Sequence, residues 1–229
     1  MCGRYTLQNV DDISERFQAK QLRFELASVY NVAPSQELPV VVADEDGERS
    51  IKLMQWGLIP RWQTLGHGGV APINARAETV AEKPMFRDLI RRRRCLVPVS
   101  GFYEWQARVH RKQPYFIGVK DQPLFAFAGL YDEFAPADDA PVASYAILTT
   151  RANALLAPIH DRMPVILRPE DEGFWLDPKL DDVRALEPLF DPRPSEDLVA
   201  YPIATTVNDA RNDGPELIKP RQLPLARAS

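Results

Sequence analysis

Apolar residues in this chain fall mostly into short continuous or alternating runs, and only briefly into helical spacing. Leu38-Pro39-Val40-Val41-Val42 and Ser50–Trp56 stand on either side of an Asp-Glu-Asp-Gly turn and predict a β-hairpin. Leu96–Trp105, Tyr115–Lys120, Leu124–Tyr131 and Val142–Thr149 are rich in β-branched and aromatic residues and predict four more strands, with two further ones at Met163–Leu167 and Leu198–Ile203. Helical spacing is confined to residues 11–19, where Asp11-Asp12 precede Ile13 and Phe17, to 77–94 with a break at Pro84, and to 153–159, 170–176 and 181–189. Gly57, Pro60, Gly66, Gly68, Gly69 and Pro72 predict a long surface loop over 57–72. Strands joined by hairpin-length gaps outnumber any β-α-β repeat. The expected class is therefore α+β: one domain, a mainly antiparallel, barrel-like β-sheet flanked by short helices, and not a doubly wound parallel sheet.

Composition narrows the setting. Of the 229 residues 45% are hydrophobic, enough for a substantial core, yet no apolar run approaches the roughly 20 residues that span a bilayer. The first twenty residues lack a basic-then-apolar leader pattern, so the expectation is a cytoplasmic protein with no membrane partner. Two cysteines, Cys2 and Cys95, make no disulfide framework, and the three histidines His67, His110 and His160 have no metal-binding spacing, so neither metal nor cofactor is expected. A net charge of −4 argues against wholesale polyanion binding. The acidic residues gather in turns such as Asp44-Glu45-Asp46, however, while Arg4, Arg61, Arg76, Arg87, Arg151 and Arg162 accompany the less ordinary motifs, which leaves room for a local basic face.

The least ordinary of these motifs is the start, Met1-Cys2-Gly3-Arg4. A small second residue favours removal of the initiator Met, and the product is a 1,2-aminothiol. Its α-amine has a reference pKa of about 7.7–8.0 and is partly unprotonated near neutrality. An aldehyde meeting it forms an imine, which the thiol then closes to a five-membered thiazolidine. Four polar groups sit in apolar settings, Asn74, Glu104, His160 and the pair Thr149-Thr150 that follows a strand, and the first three are candidate helpers. Glu104, between Tyr103 and Trp105, reads equally as a desolvated general acid/base or as half of an ion pair with an arginine. His160 reads as a proton-transfer group or a hydrogen-bonded structural residue, and Asn74 as an orienting amide or a turn-satisfying one. Trp56 belongs to a core, whereas Trp62 and Trp105, beside loops, suit base stacking. Arg91–Arg94 reads as a solvated helix face, with a nucleic-acid patch as the lesser reading.

Taken together, Met-Cys-Gly-Arg, Trp56-Gly-Leu-Ile-Pro-Arg-Trp62, Asn74-Ala-Arg-Ala-Glu-Thr79, the run from Arg94 to Trp105, Thr149-Thr-Arg-Ala-Asn153 and His160-Asp-Arg-Met-Pro164 resemble the SRAP family, the SOS-response-associated peptidase domain. The likeness extends over residues 2–219, leaving 220–229 as a tail expected to be disordered. It implies that Cys2 forms a thiazolidine with the ring-opened aldehyde of an abasic site in single-stranded DNA, in a monomer with associated lyase activity. On the same basis Asn74 would position the Cys2 amine or thiol, Glu104 would act as general acid/base, and His160 would assist proton transfer and β-elimination. Arg4, Arg76 and Arg162 would hold phosphates, Trp105 would pack on a nucleotide, and Arg87 and Thr149 would add DNA contacts. The peptidase name is met by loss of the residue before Cys2. Two other readings remain open: an N-terminal-nucleophile hydrolase, and a non-catalytic single-strand-binding module.

Overall fold

A computed structural model of the chain describes residues 2–20, 26–60, 71–109, 111–134 and 141–221. Its elements, in order, are β1 (Tyr5–Leu7), α1 (Ile13–Arg16), β2 (Val29–Val32), β3 (Glu37–Ala43), β4 (Arg49–Trp56), β5 (Asn74–Arg76), α2 (Leu89–Arg92), β6 (Arg94–Val99), β7 (Gly101–Ala107) and β8 (Lys112–Val119). They continue with β9 (Phe125–Phe134), β10 (Val142–Arg151), β11 (Arg162–Pro164), β12 (Ile166–Leu167), α3 (Glu172–Leu176) and β13 (Leu198–Pro202), with short 3-10 turns between them.

The strands β10, β4, β3, β6 and β9 are hydrogen-bonded in that order, and β9 pairs with β10 again, closing a five-stranded barrel. Every seam is antiparallel except β4–β10. Farther along β10, β5 takes over from β4 on one edge, with Asn74 opposite Ile147, and β11 takes over from β9 on the other, with Arg162 opposite Arg151. Beside the barrel lies a second, antiparallel sheet in the order β13-β8-β7-β1-β2. One of its faces turns Tyr5 and Phe102 onto the barrel core: the Tyr5 and Trp56 rings are 5.1 Å apart, those of Phe102 and Phe127 are 5.6 Å apart, and the Tyr5 and Tyr145 hydroxyls share a 2.7 Å hydrogen bond. Such ring pairs contribute about 0.5–1.5 kcal/mol each beyond simple burial. The other face carries Tyr103, Phe116 and Trp105 and is covered by Ile203, Val207 and Leu217 from the C-terminal segment. The α+β class, the hairpin and Trp56 as a core residue are all as expected.

Several elements differ from expectation. The run Leu96–Trp105 is two strands in two sheets, parted at Ser100. Segment 77–94 holds only a 3-10 turn at Ala77–Thr79 and the four-residue α2, because Pro84 removes a backbone donor and restricts its predecessor. Residues 153–159 form turns, with the Asn153 side chain taking the Leu156 N–H and Pro158 preventing propagation. Segment 181–189 is a 3-10 helix, Val183–Phe190, containing Pro188, and Met163–Leu167 divides into β11 and β12. The arginine run is split as well: Arg91 and Arg92 are exposed, but Arg94 lies in β6, 6% exposed, donating to the carbonyls of Trp175, Ile90, Arg91 and Asp177. Pro220 and Arg221 are still fastened, the Arg221 N–H to the Pro202 carbonyl and its guanidinium to Gln113; the rest of the expected tail lies outside the described residues, as do Arg61, Trp62, His67 and His110. Among the described residues no helix is long and apolar enough to cross a membrane.

Gly101 starts β7 where the Phe116 ring of β8 presses on the backbone. A Cβ there would lie 2.3 Å from Phe116 Cζ and 3.1 Å from the Ile117 carbonyl oxygen. Gly101→Ala should therefore lower stability by about 1–3 kcal/mol, the usual penalty for overpacking, read as a lower urea midpoint at unchanged slope.

Candidate active site

From Cys2 onward the described residues are built into the fold. β1 is a central strand, with β2 on one side and β7 on the other, and its register with β7 pairs Tyr5 with Phe102 and Thr6 with Gly101. The Tyr103 N–H donates to the Arg4 carbonyl at 3.1 Å, so the same register carried one residue further sets Gly3 across from Glu104. Cys2 is thereby drawn inside and has no exposed surface. Its thiol lies 3.8 Å from the Arg4 carbonyl oxygen, and its own carbonyl accepts a 2.9 Å hydrogen bond from Asn74 Nδ2. Asn74 reaches Cys2 from β5 through the Cys2 carbonyl, where the sequence pointed to the amine or thiol. Asn74 Oδ1 is buried with no hydrogen-bond partner among the described residues.

Burial dominates the electrostatics. It pushes the Cys2 thiol well above the ordinary cysteine range, and the neighbouring Glu104 carboxylate pushes it further the same way. Glu104 is itself 2% exposed, and burial raises its carboxyl to about 7. A guanidinium partner would have drawn that value down, so burial and not an arginine sets the state of Glu104. Both protonation states are thus populated near neutrality, the condition for one group to give and take a proton.

His160 sits in the turns that lead to β11, and those turns are docked on β7 by Gln106, whose Nε2 donates to the Pro158 carbonyl at 2.9 Å. The Arg162 N–H lies 3.0 Å from His160 Nδ1. Burial lowers the imidazole pKa while Asp161, with Oδ1 2.9 Å from Nδ1, opposes the shift. The charge of Asp161 also raises Glu104, so the two candidate proton carriers share a neighbour.

The arginines divide into separate groups. Arg162 on β11 makes a two-pronged pair with Glu78, at 2.6 and 2.9 Å, and donates to the Thr149 carbonyl and, at 3.2 Å, to its hydroxyl. Thr149 is fully buried, its hydroxyl also donating to the Ala75 carbonyl, and it meets the surface through Arg162. Arg76, opposite Thr149 on β5, is exposed. Arg4 turns to the other side of the second sheet, donating to Asn31 Oδ1 at 2.8 Å and to the Val207 carbonyl at 3.1 Å. Trp105 Nε1 donates to Asn208 Oδ1 at 2.7 Å, leaving the indole half-buried. Arg87 is exposed, and its Nε lies 3.9 Å from the adjacent Asp88 carboxylate.

Sequence reasoning missed Asn31, Asn208 and the roles of Glu78 and Asp161. Asn31 is buried, its oxygen accepting from Arg4 while its Nδ2 donates to the carbonyls of Val207, Asp209 and Asn212. It thus fastens the covering segment to β2 and sets the place of Arg4 and, through Asn208, of Trp105. An amide inside the run Val29-Tyr30-Asn31-Val32 was the available signal, because a buried amide needs several partners.

Comparison with known proteins follows this geometry. The family model described as SOS response associated peptidase (SRAP) matches residues 1–210. Abasic site processing protein YoqW of Bacillus subtilis (strain 168) is 44% identical over 223 residues, covering 96% of this chain and 99% of that protein. Abasic site processing protein HMCES of Xenopus tropicalis is 32% identical over 222 residues, covering 82% of this chain and 64% of that one. The crystal structure of a protein from Bacteroides thetaiotaomicron is similar with a TM-score of 0.85 at 29% identity, over 96% of this chain and 100% of that one. By a family match over most of its length and a relative aligned nearly end to end, the chain belongs to the SOS response associated peptidase (SRAP) family.

Proposed function

We propose that this protein recognises abasic sites in single-stranded DNA and captures them covalently through Cys2 once Met1 has been removed. The observation that carries this reading is the enclosed Cys2, held through its carbonyl by Asn74 beside a carboxyl poised near neutrality. The names of the relatives, abasic site processing proteins, support the same substrate.

The electrostatics favour an order of events. A thiol held protonated by burial and by Glu104 is a poor first nucleophile, whereas the α-amine freed by Met1 removal has a far lower intrinsic pKa. The amine therefore adds first to the aldehyde carbon of the opened sugar, and protonated Glu104 supplies the proton with which water departs, leaving an iminium ion. Glu104, now a carboxylate, takes and keeps the thiol proton as sulfur adds to the iminium carbon, and the nitrogen retains its own proton. A C–N and a C–S bond have formed, one water has left, and Glu104 is regenerated. The reverse sequence opens the ring. Diversion of the imine to β-elimination, with His160 as proton carrier, accounts for lyase activity, and Arg4, Arg76, Arg162 and Trp105 hold the strand. The peptidase activity in the family name reduces here to removal of Met1. The high thiol pKa disfavours the alternative in which a Cys2 thiolate attacks amides.

Incubation with a single-stranded oligonucleotide bearing one abasic site should give an adduct that survives denaturation, with an intact mass equal to protein minus Met1 plus DNA minus water. Cys2→Ala, or an N-terminal tag that blocks processing, should abolish it. Equal binding of intact and abasic strands with no adduct from the processed protein would instead establish a simple binding module.

Ring closure requires the Glu104 carboxylate to accept the thiol proton, so its rate should fall as pH drops through about 7. Glu104→Gln should remove that inflection and slow adduct formation by about 10²–10⁴-fold in single-turnover assays, the usual contribution of a positioned acid/base.

Asn74→Ala frees the Cys2 carbonyl. It should slow closure by up to about 10²-fold, as for misplaced reacting groups, while single-strand affinity measured with an unreactive abasic analogue stays near wild type.

A further inference from the structure

The pair between Glu78 and Arg162 is not explained by the capture chemistry. Arg162 is gripped from two sides. Inward, Nη2 donates to the carbonyl and hydroxyl oxygens of buried Thr149, which fixes the guanidinium to β10. Outward, Nη1 and Nη2 each donate to one oxygen of the Glu78 carboxylate, at 2.6 and 2.9 Å. Two parallel charge-assisted bonds to two oxygens of one anion are the geometry with which a guanidinium also takes a phosphate. The Arg162 side chain is 13% exposed and that of Glu78 49%, so the carboxylate covers the side of the fork that would meet solvent. The two supports differ in permanence. Thr149 is fixed on the ten-residue strand β10, paired with β5 on one edge and β11 on the other, whereas Glu78 stands on the three-residue turn Ala77–Thr79 that follows β5. The hydrogen bond from Arg162 holds the Glu78 carboxyl below its usual range, so it is ionised at neutral pH. Exposed Arg76, two residues earlier, adds positive charge beside the same turn.

We propose that Glu78 is a built-in stand-in for phosphate: it occupies the Arg162 fork in the free protein and is displaced by a phosphate when single-stranded DNA binds. The inference rests on the reading that the face carrying Arg162 binds DNA. Its consequence is selectivity. An anion must outcompete a tethered carboxylate to reach Arg162, so scattered contacts with nucleic acid are weakened, while a strand whose phosphate is delivered to the fork by its other contacts is not excluded. The displaced carboxylate regains its own counterion, which offsets part of the ion release that normally accompanies phosphate binding.

The test is equilibrium binding of an undamaged single-stranded oligonucleotide by fluorescence anisotropy across a salt series, so that covalent capture plays no part. Three processed proteins are compared: wild type, Glu78→Gln, and Glu45→Gln, which removes the same charge from the exposed β3–β4 turn. Glu78→Gln should bind about two- to fivefold tighter, the range expected for breaking a partly exposed ion pair. Its plot of log affinity against log salt should be steeper by up to about 0.7, the value for one further phosphate neutralised on a single strand. Glu45→Gln should match wild type, and thermal melting should show Glu78→Gln folded. Weaker binding by Glu78→Gln would overturn the inference and make Glu78 a support for Arg162; equal gains in both variants would overturn it in favour of net charge alone. If melting shows Glu78→Gln unfolded, Glu78→Asp is read in its place, since a shortened carboxylate cannot keep both bonds; unchanged affinity and slope there overturn the inference. Wild type that binds while the variants do not differ from it sinks this inference alone, whereas absence of binding by all three sinks the proposed function with it.

Discussion

The structure depends on β1, only a few residues into the chain, being a middle strand. Terminal residues ordinarily fray, because they have neighbours on one side only. Here β1 is hydrogen-bonded along both edges, Tyr5 is locked against Tyr145 and Trp56, and Arg4 is tied to Asn31. Cys2 thereby acquires the positional definition of a core residue, the kind of fixed placement on which the proposed capture chemistry depends.

Enclosure has a second effect, on proton affinities. The same lack of water that raises the Cys2 thiol raises Glu104, so the fold disables the thiolate and creates a carboxyl able to carry protons at neutral pH in one stroke. Asp161 and the docked turn at 153–161 complete the polar side of this arrangement, and Asn74 supplies the only amide shown to touch Cys2 among the described residues.

Legibility in the sequence followed length of pattern. The hairpin β3–β4 and the strands β8, β9 and β10 are seven to ten residues long and carry their alternation or apolar runs openly. β1, β5 and β11, at three residues each, are too short to show a period, although they bring Cys2, Asn74 and Arg162 to the site. Helices were overread wherever proline sits: Pro84, Pro158 and Pro188 each leave turns or 3-10 geometry where spacing alone suggests α-helix. Glu104 was visible as a carboxylate flanked by aromatics, and its two readings could be separated only by the direction in which burial moves its titration. The role of Asn31 was out of reach, because its partners lie about 180 residues away and depend on how a segment without regular structure folds back over β2.

The ties that enclose Cys2 span nearly the whole chain. Its strand partner β7 starts at Gly101, the β10 strand that carries β5 begins at Val142, and the carbonyl that receives Arg4 belongs to Val207. A ribosome makes the first residues first and these partners last. Cys2 is therefore made well before the segments that enclose it: until they are in place it lacks the burial, the Asn74 amide and the neighbouring Glu104 described above. Enclosure of Cys2 is thus coupled to synthesis of segments as late as Val207, so a product ending before them would carry Cys2 without its enclosure.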